Sequence, residues 1–167
     1  MIIILGILAA IAVSKYVNLS SAARESALHG IKAAMDSTNN NLRAASFTGQ
    51  FNIKTCPQYA NERVKEIYLK GTPTAPNVNC NLAATRNNPD IVLMIYGWMD
   101  NDEIGNTLNI SGGFQETSDT GSPWANTYLG YDLNNDGNVT NDNCYYHYQQ
   151  PLNRGETPIS EVVSSGC

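Results

Sequence analysis

The sequence predicts an α+β protein in which a long N-terminal helix packs on a small antiparallel β-sheet head. Residues 1–50 contain no proline, and their apolar side chains recur at helical spacing. After about Gln50, short β-branched and aromatic runs alternate with turns rich in glycine, proline and asparagine. All four cysteines lie in this second part. We therefore predict a helix over residues 1–50 and a disulfide-stapled globular head over residues 51–167.

The predicted helix has two halves of different character. Residues 1–13 carry no charge, and the first charged side chain is Lys15. In residues 14–50, apolar positions form one stripe while polar positions lie opposite. A run that is apolar all round must be surrounded by lipid or by other copies of itself, whereas a one-sided stripe packs on a head. The stripe is Leu28, Ile31, Met35, Thr38, Leu42 and Ala45, and the predicted solvent face is Arg24, Glu25, Lys32, Asp36, Asn39 and Asn40.

The head is predicted to be built mainly from short strands. For residues 61–70, the spacing of Val64, Ile67 and Tyr68 favours a short helix over an exposed strand. The remaining segments alternate or are rich in β-branched and aromatic residues, which favours strands. The predicted strands are Ile91–Met99, followed by a turn at Asp100–Asp102, then Thr107–Ile110, Cys144–Tyr148 and an edge strand at Ile159–Val163.

The N-terminal residues resemble a known family. Ile4-Leu-Gly-Ile-Leu-Ala-Ala-Ile-Ala12 is similar to the second half of the N-terminal signature of type IV pilins and pseudopilins. Residues 15–24 and 28–35 resemble the mannose-sensitive haemagglutinin (MSHA) pilins. The family signature opens about eight residues before the position of Met1, and adding them gives roughly 21 residues, enough to span a bilayer. We therefore expect that the chain covers only part of the mature protein.

The resemblance implies the type IV pilin fold and a structural function. Subunits would be anchored in the inner membrane, then packed by pilus assembly machinery into an extracellular helical homopolymer for surface attachment. Many family members carry a helix-breaking proline where this chain has Ser14, and serine weakens a helix less. Gly6 remains a weak point, so we still expect some loosening of the helix between Gly6 and Ser14. The filament-core residues implied are Met1, Ile2, Ile3, Ile4, Leu5, Gly6, Ile7, Leu8, Ile11 and Val13.

Two other functions stay open for this sequence. One is a major pseudopilin of a type II secretion system, which works as a short periplasmic piston. The other is a membrane-anchored binding domain that acts as a monomer. A net charge of −5 and a charged fraction of 15% disfavour nucleic acid as the main partner. The target of adhesion, on a host or on another surface, does not follow from the sequence.

The four cysteines predict two disulfides. Cys56, Cys80, Cys144 and Cys167 form an even set without a CxxC pair or a Cys-His pair at zinc spacing, and an exported chain reaches an oxidising compartment. Three pairings are open. Proximity in sequence and the C-terminal disulfide region of the pilin family together favour 56–80 and 144–167.

One local motif predicts a calcium site. The segment from Asp132 to Asn143 opens with Asp-x-Asn-x-Asp-Gly, the first six positions of a calcium loop, but Asn143 stands where that loop has a bidentate acid. The alternative is an Asn/Asp-Gly turn whose side chains bond their own backbone. The candidate Ca²⁺ ligands are Asp132, Asn134, Asp136, Asn138, Thr140 and Asp142.

The sequence does not predict an enzyme. It contains no Gly-x-Ser-x-Gly, no P-loop and no Gly-x-Gly-x-x-Gly. Of the two histidines, His29 lies in the helix and His147 lies among tyrosines without a nearby nucleophile. The acids Asp100, Asp102 and Glu103 are interpreted as a solvated turn. The tyrosines and the two tryptophans, Trp98 and Trp124, are assigned to core and interface packing.

Overall fold

The protein is α+β, with a long N-terminal helix followed by antiparallel sheets, as the sequence predicts. A computed structural model describes residues 2–73, 78–104, 113–119 and 125–167, and it describes the side chains of the first helix from Ser20 onward. In these ranges the chain forms two α-helices, two short 3-10 helices and eight strands. The arrangement is compatible with a pilin-like fold. The predicted strand Thr107–Ile110 and Trp124 lie outside the described residues.

The first helix, α1, spans Ile2–Thr48, about 70 Å at 1.5 Å per residue. Gly49, with a φ of 70°, follows it in the left-handed conformation that commonly ends a helix. The backbone is helical through Gly6 and Ser14, so the loosening expected there is not seen. The predicted stripe is confirmed at its main positions: Leu28, Met35, Leu42 and Ala45 are buried, and Ile31 packs against the same core.

Asn39 corrects the prediction for the helix surface. We expected this residue on the solvent face, but it is only 3% exposed. It lies four residues after Met35 and three before Leu42, so helical spacing places it on the buried stripe despite its polarity. Its amide is satisfied there, because Oδ1 accepts a hydrogen bond from the Met99 backbone N–H at 2.9 Å and Nδ2 donates to the Tyr148 hydroxyl at 3.3 Å.

The first sheet joins four antiparallel strands in the order β1-β2-β3-β4. Residues 64–68, for which we favoured a helix, form the strand β2 instead. β2 lies between β1 and β3, since its Val64 pairs with Ile95 of β3 and its Ile67 pairs with Ile53 of β1. The buried Glu66 breaks the apolar alternation that identifies a strand in sequence. The strands are β1 Asn52–Thr55, β2 Val64–Tyr68, β3 Ile91–Ile95 and β4 Trp98–Met99, and a short helix, α2 Leu82–Arg86, precedes β3.

The long strand predicted at Ile91–Met99 is a tight hairpin. It folds back at Tyr96 and Gly97, whose φ angles are 51° and 85°. Two consecutive residues with positive φ suit a two-residue hairpin turn, which pairs Ile95 with Trp98. The apolar run hides this turn, because the glycine that permits it is flanked by aromatic side chains on both sides.

The second sheet has the order β5-β6-β7-β8 and is also antiparallel. The aromatic strand and the edge strand expected near the C-terminus are confirmed as β7 and β8. We predicted one small sheet, and the described residues form two. The side chains of Leu28, Met35 and Leu42 share a core with residues of both sheets, including Met99 and Tyr148. The strands are β5 Gln115–Ser118, β6 Asn126–Gly130, β7 Tyr145–Gln149 and β8 Ile159–Val163.

Candidate metal centre

The predicted calcium loop connects β6 to β7 on the surface of the head. Three of its residues, Asn135, Gly137 and Asn143, have positive φ angles of 60°, 82° and 51°, which fold the loop tightly. The fold brings three acids together, since one carboxylate oxygen from each of Asp132, Asp136 and Asp142 lies within 4.8 Å of the others. Such hard oxygen donors are the ligands that calcium prefers.

Part of the loop is organised by its own hydrogen bonds, as the turn interpretation expects. Asp132 accepts the backbone N–H of Asp136 at 3.1 Å and that of Gly137 at 2.9 Å. Asp136 accepts the backbone N–H of Asn138 at 2.8 Å and the side-chain amide of Asn141 at 2.7 Å. Each carboxylate oxygen has two lone pairs, so both oxygens of Asp132 and Oδ1 of Asp136 keep one, whereas Oδ2 of Asp136 accepts from Asn134 as well as Asn141 and keeps none. The loop is therefore held in shape by its own hydrogen bonds, and three of these four carboxylate oxygens could still accept a cation.

Hydrogen bonds within the loop stabilise the ionised form of Asp136. Its pKa is lowered chiefly by the hydrogen bond from Asn141, with help from the backbone of Asn138 and the amide of Asn134. Asp136 is therefore ionised across the neutral range. A metal ion would meet a carboxylate that does not have to lose a proton first.

Asp142 favours a cation site over a plain turn. Its Oδ2 is buried, and no hydrogen-bond partner for that atom is present among the described residues. A buried carboxylate oxygen without a partner is costly, and a bound cation would satisfy it. The donor set and this oxygen together fit a calcium ion.

The other three predicted ligands are arranged differently. Asn134 donates its amide to Asp136 at 3.1 Å. Asn138 accepts both the backbone N–H of Thr140 at 3.1 Å and its hydroxyl at 2.8 Å, so these two side chains bond each other. Of the six predicted ligands, the structure thus brings the three acids close together. The three neutral residues lie in the same loop, where their side chains hydrogen-bond within it.

The cysteine pairing favoured from the sequence is confirmed. Cys56 and Cys80 form one disulfide, with Cα atoms 5.3 Å apart, and Cys144 and Cys167 form the other, with Cα atoms 4.7 Å apart. The second disulfide adjoins the predicted calcium loop of residues 132–143, called the metal loop below, because Cys144 follows Asn143 directly.

The acids predicted as a solvated turn are mostly buried. Asp100 and Glu103 are each 2% exposed, and Arg86 contacts Asp100 at 3.0 Å and Asp102 at 2.7 Å. Asn101 holds this segment against the second sheet by donating to the Thr127 hydroxyl at 3.2 Å. The correction has a long-range cause, since the contacts that bury the acids come from distant parts of the chain.

Burial changes the proton affinity of these acids. Burial, together with the charge of Asp100, raises the pKa of Glu103 to about 7. Burial also raises the pKa of Asp100, although the Arg86 guanidinium opposes the change. We assign the cluster to the structure of the head, where it joins α2 to the segment after β4.

Both histidines contact side chains of neighbouring turns or strands. His29 is exposed on α1, 3.9 Å from Glu25. His147 lies between Glu161 at 2.9 Å and Asn126 at 2.9 Å, and its ring stacks on Tyr128 with centroids 4.7 Å apart. These contacts join β6, β7 and β8 across the outer face of the second sheet.

Comparisons with known proteins give no match. No family model matches the chain, no curated protein matches it, and no solved structure matches it. Within the part of the chain that the structure describes, no helix combines the length and the apolar character that a membrane crossing requires.

Proposed function

We propose that this chain is the major structural subunit of an extracellular filament of the type IV pilus class, resembling the MSHA pilins. The observation that carries the proposal is the division of one 47-residue helix. Side chains from Arg24 to Ala45 contact or pack against the head. The uncharged run of residues 1–13 precedes the first of these described contacts.

The uncharged run needs a partner that covers it. Exposing thirteen consecutive uncharged, largely apolar residues to water is unfavourable, at about 25 cal/mol per Å² of apolar surface. Lipid of the inner membrane before assembly and neighbouring copies of the run in a filament are both apolar, so the exchange between them costs little hydrophobic energy. Two disulfides in the head suit an exported protein. The assembly machinery would be the transient partner of this exchange.

Filament formation should depend on the apolar run. We expect protein sheared from the cell surface to appear as fibres in electron cryomicroscopy, with residues 1–45 packed along the axis. Ile11→Asp should abolish these fibres, because it introduces a charge into the core of the filament. Ala33→Asp, at an exposed position of the same helix, should leave them intact.

The alternatives give different results in this experiment. A monomer that stays in the membrane fraction would contradict the filament proposal and favour an anchored binding domain. A short periplasmic assembly without surface fibres would favour the pseudopilin of a secretion system, a function that the calcium-like loop also suits.

We further propose that the loop of residues 132–143 binds Ca²⁺. The carboxylates of Asp132, Asp136 and Asp142 would hold the ion, and Asn134, Asn138 and Thr140 supply neutral oxygens in the same loop. The bound ion carries two positive charges, so it would offset most of the repulsion among these three negative charges and stabilise this side of the head. We assign the ion a structural role, in which it holds the loop in its folded shape.

Calcium should raise the stability of the head. Calcium sites of extracellular modules have dissociation constants of about 10⁻⁴ M. At about 10 mM Ca²⁺ such a site adds roughly 2.7 kcal/mol to the free energy of unfolding. Thermal unfolding of the detergent-solubilised chain, with and without Ca²⁺, measures the effect. Asp142→Asn should remove it, and Asp90→Asn, an acid paired with Lys70 elsewhere on the surface, should not. An equal shift with Mg²⁺, or none with Ca²⁺, would favour the plain turn.

A further inference from the structure

The C-terminal tail lies directly against the end of the metal loop. The backbone N–H of Gly166 donates to the carbonyl of Asn143 at 3.0 Å. Gly166 also packs so closely on the carbonyl oxygen of Asp142 that a Cβ at position 166 would overlap it. The tail thus fixes the backbone on both sides of the peptide bond that follows Asp142.

Two further attachments hold the tail in place. The disulfide joins Cys167 to Cys144, the residue after Asn143. On the other side, α1 binds the tail, since Arg24 donates to the carbonyl of Cys167 at 2.7 Å and Ser164 donates to Glu25 at 3.1 Å. The loop, the tail and the helix therefore form one connected unit.

Asp142 borders this unit, and the backbone N–H of Asp142 also donates to the Val139 carbonyl within the loop at 3.3 Å. It stands one residue before the position at which a calcium loop normally supplies its bidentate acid. Asn143, which occupies that position, has a φ of 51°, a left-handed conformation that is less favourable for a residue other than glycine. The hydrogen bond from Gly166 to Asn143 stabilises this conformation. Because Asp142 is the preceding residue, the same contact helps to orient its side chain.

We propose that the Cys144–Cys167 disulfide and Gly166 position Asp142 for calcium binding, so that the oxidised tail and the bound ion stabilise each other. This inference rests on the proposed calcium site. Reduction by a dithiol adds two electrons and two protons to the disulfide, gives two cysteine thiols, and leaves the reductant as its own disulfide. The freed tail then releases Asn143, and one of the three carboxylates is lost from the site.

The coupling is reciprocal. If the intact disulfide raises the affinity for Ca²⁺ by some factor, bound Ca²⁺ stabilises the disulfide against reduction by the same factor. The protein contains its own control, because the Cys56–Cys80 disulfide joins β1 to the segment before α2 and has no described contact with the loop.

Calcium affinity of two double variants tests the proposal. Isothermal titration with Ca²⁺ on the full chain in detergent should show binding weakened by about 10-fold or more in Cys144→Ala/Cys167→Ala, as for other residues that orient metal ligands. Cys56→Ala/Cys80→Ala should stay within about twofold of the unchanged protein, although removal of either disulfide destabilises the fold. The affinity, and not the loss of stability, separates positioning from a general structural effect.

Two measurements keep the test decisive if a double variant fails to fold. Gly166→Ala retains both disulfides but places a methyl group against Asp142, so it should weaken Ca²⁺ binding; Gly30→Ala, in open space on α1, should not.

In the unchanged protein, Ca²⁺ should slow reduction of Cys144–Cys167 by dithiothreitol and leave Cys56–Cys80 unaffected. Differential alkylation and mass spectrometry read the two disulfides separately.

The outcomes distinguish the two proposals. If the oxidised protein binds Ca²⁺ but binding is unchanged in Cys144→Ala/Cys167→Ala and in Gly166→Ala, the coupling is overturned while the calcium site stands. If the oxidised protein does not bind Ca²⁺ at all, both are overturned. Equal weakening in both double variants would also overturn the coupling, because it would show a general loss of structure.

Discussion

Replacing Asn39 by leucine should lower the free energy of unfolding by about 3 kcal/mol. Asn39 connects three elements: it accepts from the Met99 backbone at the end of β4, it donates to Tyr148 in β7, and it belongs to α1. Tyr148 closes the network by donating its hydroxyl to the Met99 carbonyl at 2.7 Å. Leucine has a similar size but no polar atom, so the Met99 N–H loses this buried acceptor and the Tyr148 oxygen loses a donor.

The neighbouring residue supplies the matched control. Asn40 is exposed on the same helix, and Asn40→Leu makes the same chemical change without removing a described buried bond. Urea unfolding of both oxidised variants in detergent measures the difference. Because leucine favours a helix more than asparagine does, Asn40→Leu should be neutral or slightly stabilising. Equal stability of the two variants would show that the Asn39 network contributes nothing to the fold.

The helix was predictable because its evidence is local. Periodic apolar residues and the absence of proline are sufficient to place α1 and most of its buried stripe. Asn39 shows the limit of that evidence. Its spacing from Met35 and Leu42 places it on the buried stripe, whereas its polarity suggests solvent, and only the partners from β4 and β7 decide between the two.

The strand β2 was missed for a related reason. Its buried Glu66 looks like a solvent position in sequence, yet it accepts from the Thr85 hydroxyl at 2.6 Å and lies 3.8 Å from Lys54. A polar group can occupy a core position when distant partners satisfy it. Sequence patterns cannot include partners that only folding brings together.

The candidate metal site shows the same division. The Asp-x-Asn-x-Asp-Gly motif identified the segment and its acids, because calcium ligands within one loop are close in sequence. The contact of Gly166 with the loop was not predictable, since Gly166 lies 23 positions after Asn143 in the sequence. A glycine before the last cysteine carries no signal until the fold places it against Asp142.

Replacing Glu103 by glutamine should stabilise the protein by about 2–3 kcal/mol at pH 8 and by little at pH 5. The carboxyl is 2% exposed. Burial and the nearby charge of Asp100 raise its pKa from 4.5 to about 7, while a backbone hydrogen bond from Leu93 and the charge of Arg86 oppose the change. Glutamine keeps the shape of the side chain but has no proton to lose.

The direction with pH follows from this raised pKa. Below about pH 4.5 the group is protonated in both the folded and the unfolded chain and costs nothing. Between pH 4.5 and about 7, Glu103 is ionised in the unfolded chain but still mostly protonated in the folded chain. The folded state therefore binds more protons than the unfolded state in this window, and stability falls as the pH rises. Glu103→Gln removes that loss.

Urea unfolding at pH 5, 6, 7 and 8 measures the free energy of unfolding of the variant and of the unchanged protein. The difference between them isolates the contribution of Glu103, because all other titrating groups are common to both. Glu62→Gln is the control: its carboxyl is exposed and its pKa is lowered, first by a hydrogen bond from Lys65, so it should give no gain that grows with pH. A difference for Glu103→Gln that stays constant from pH 5 to 8 would mean that the carboxyl ionises normally in the folded protein. Growth of the gain with pH would instead show that the acids after β4 belong to the interior, where they limit the stability of the head in alkaline conditions.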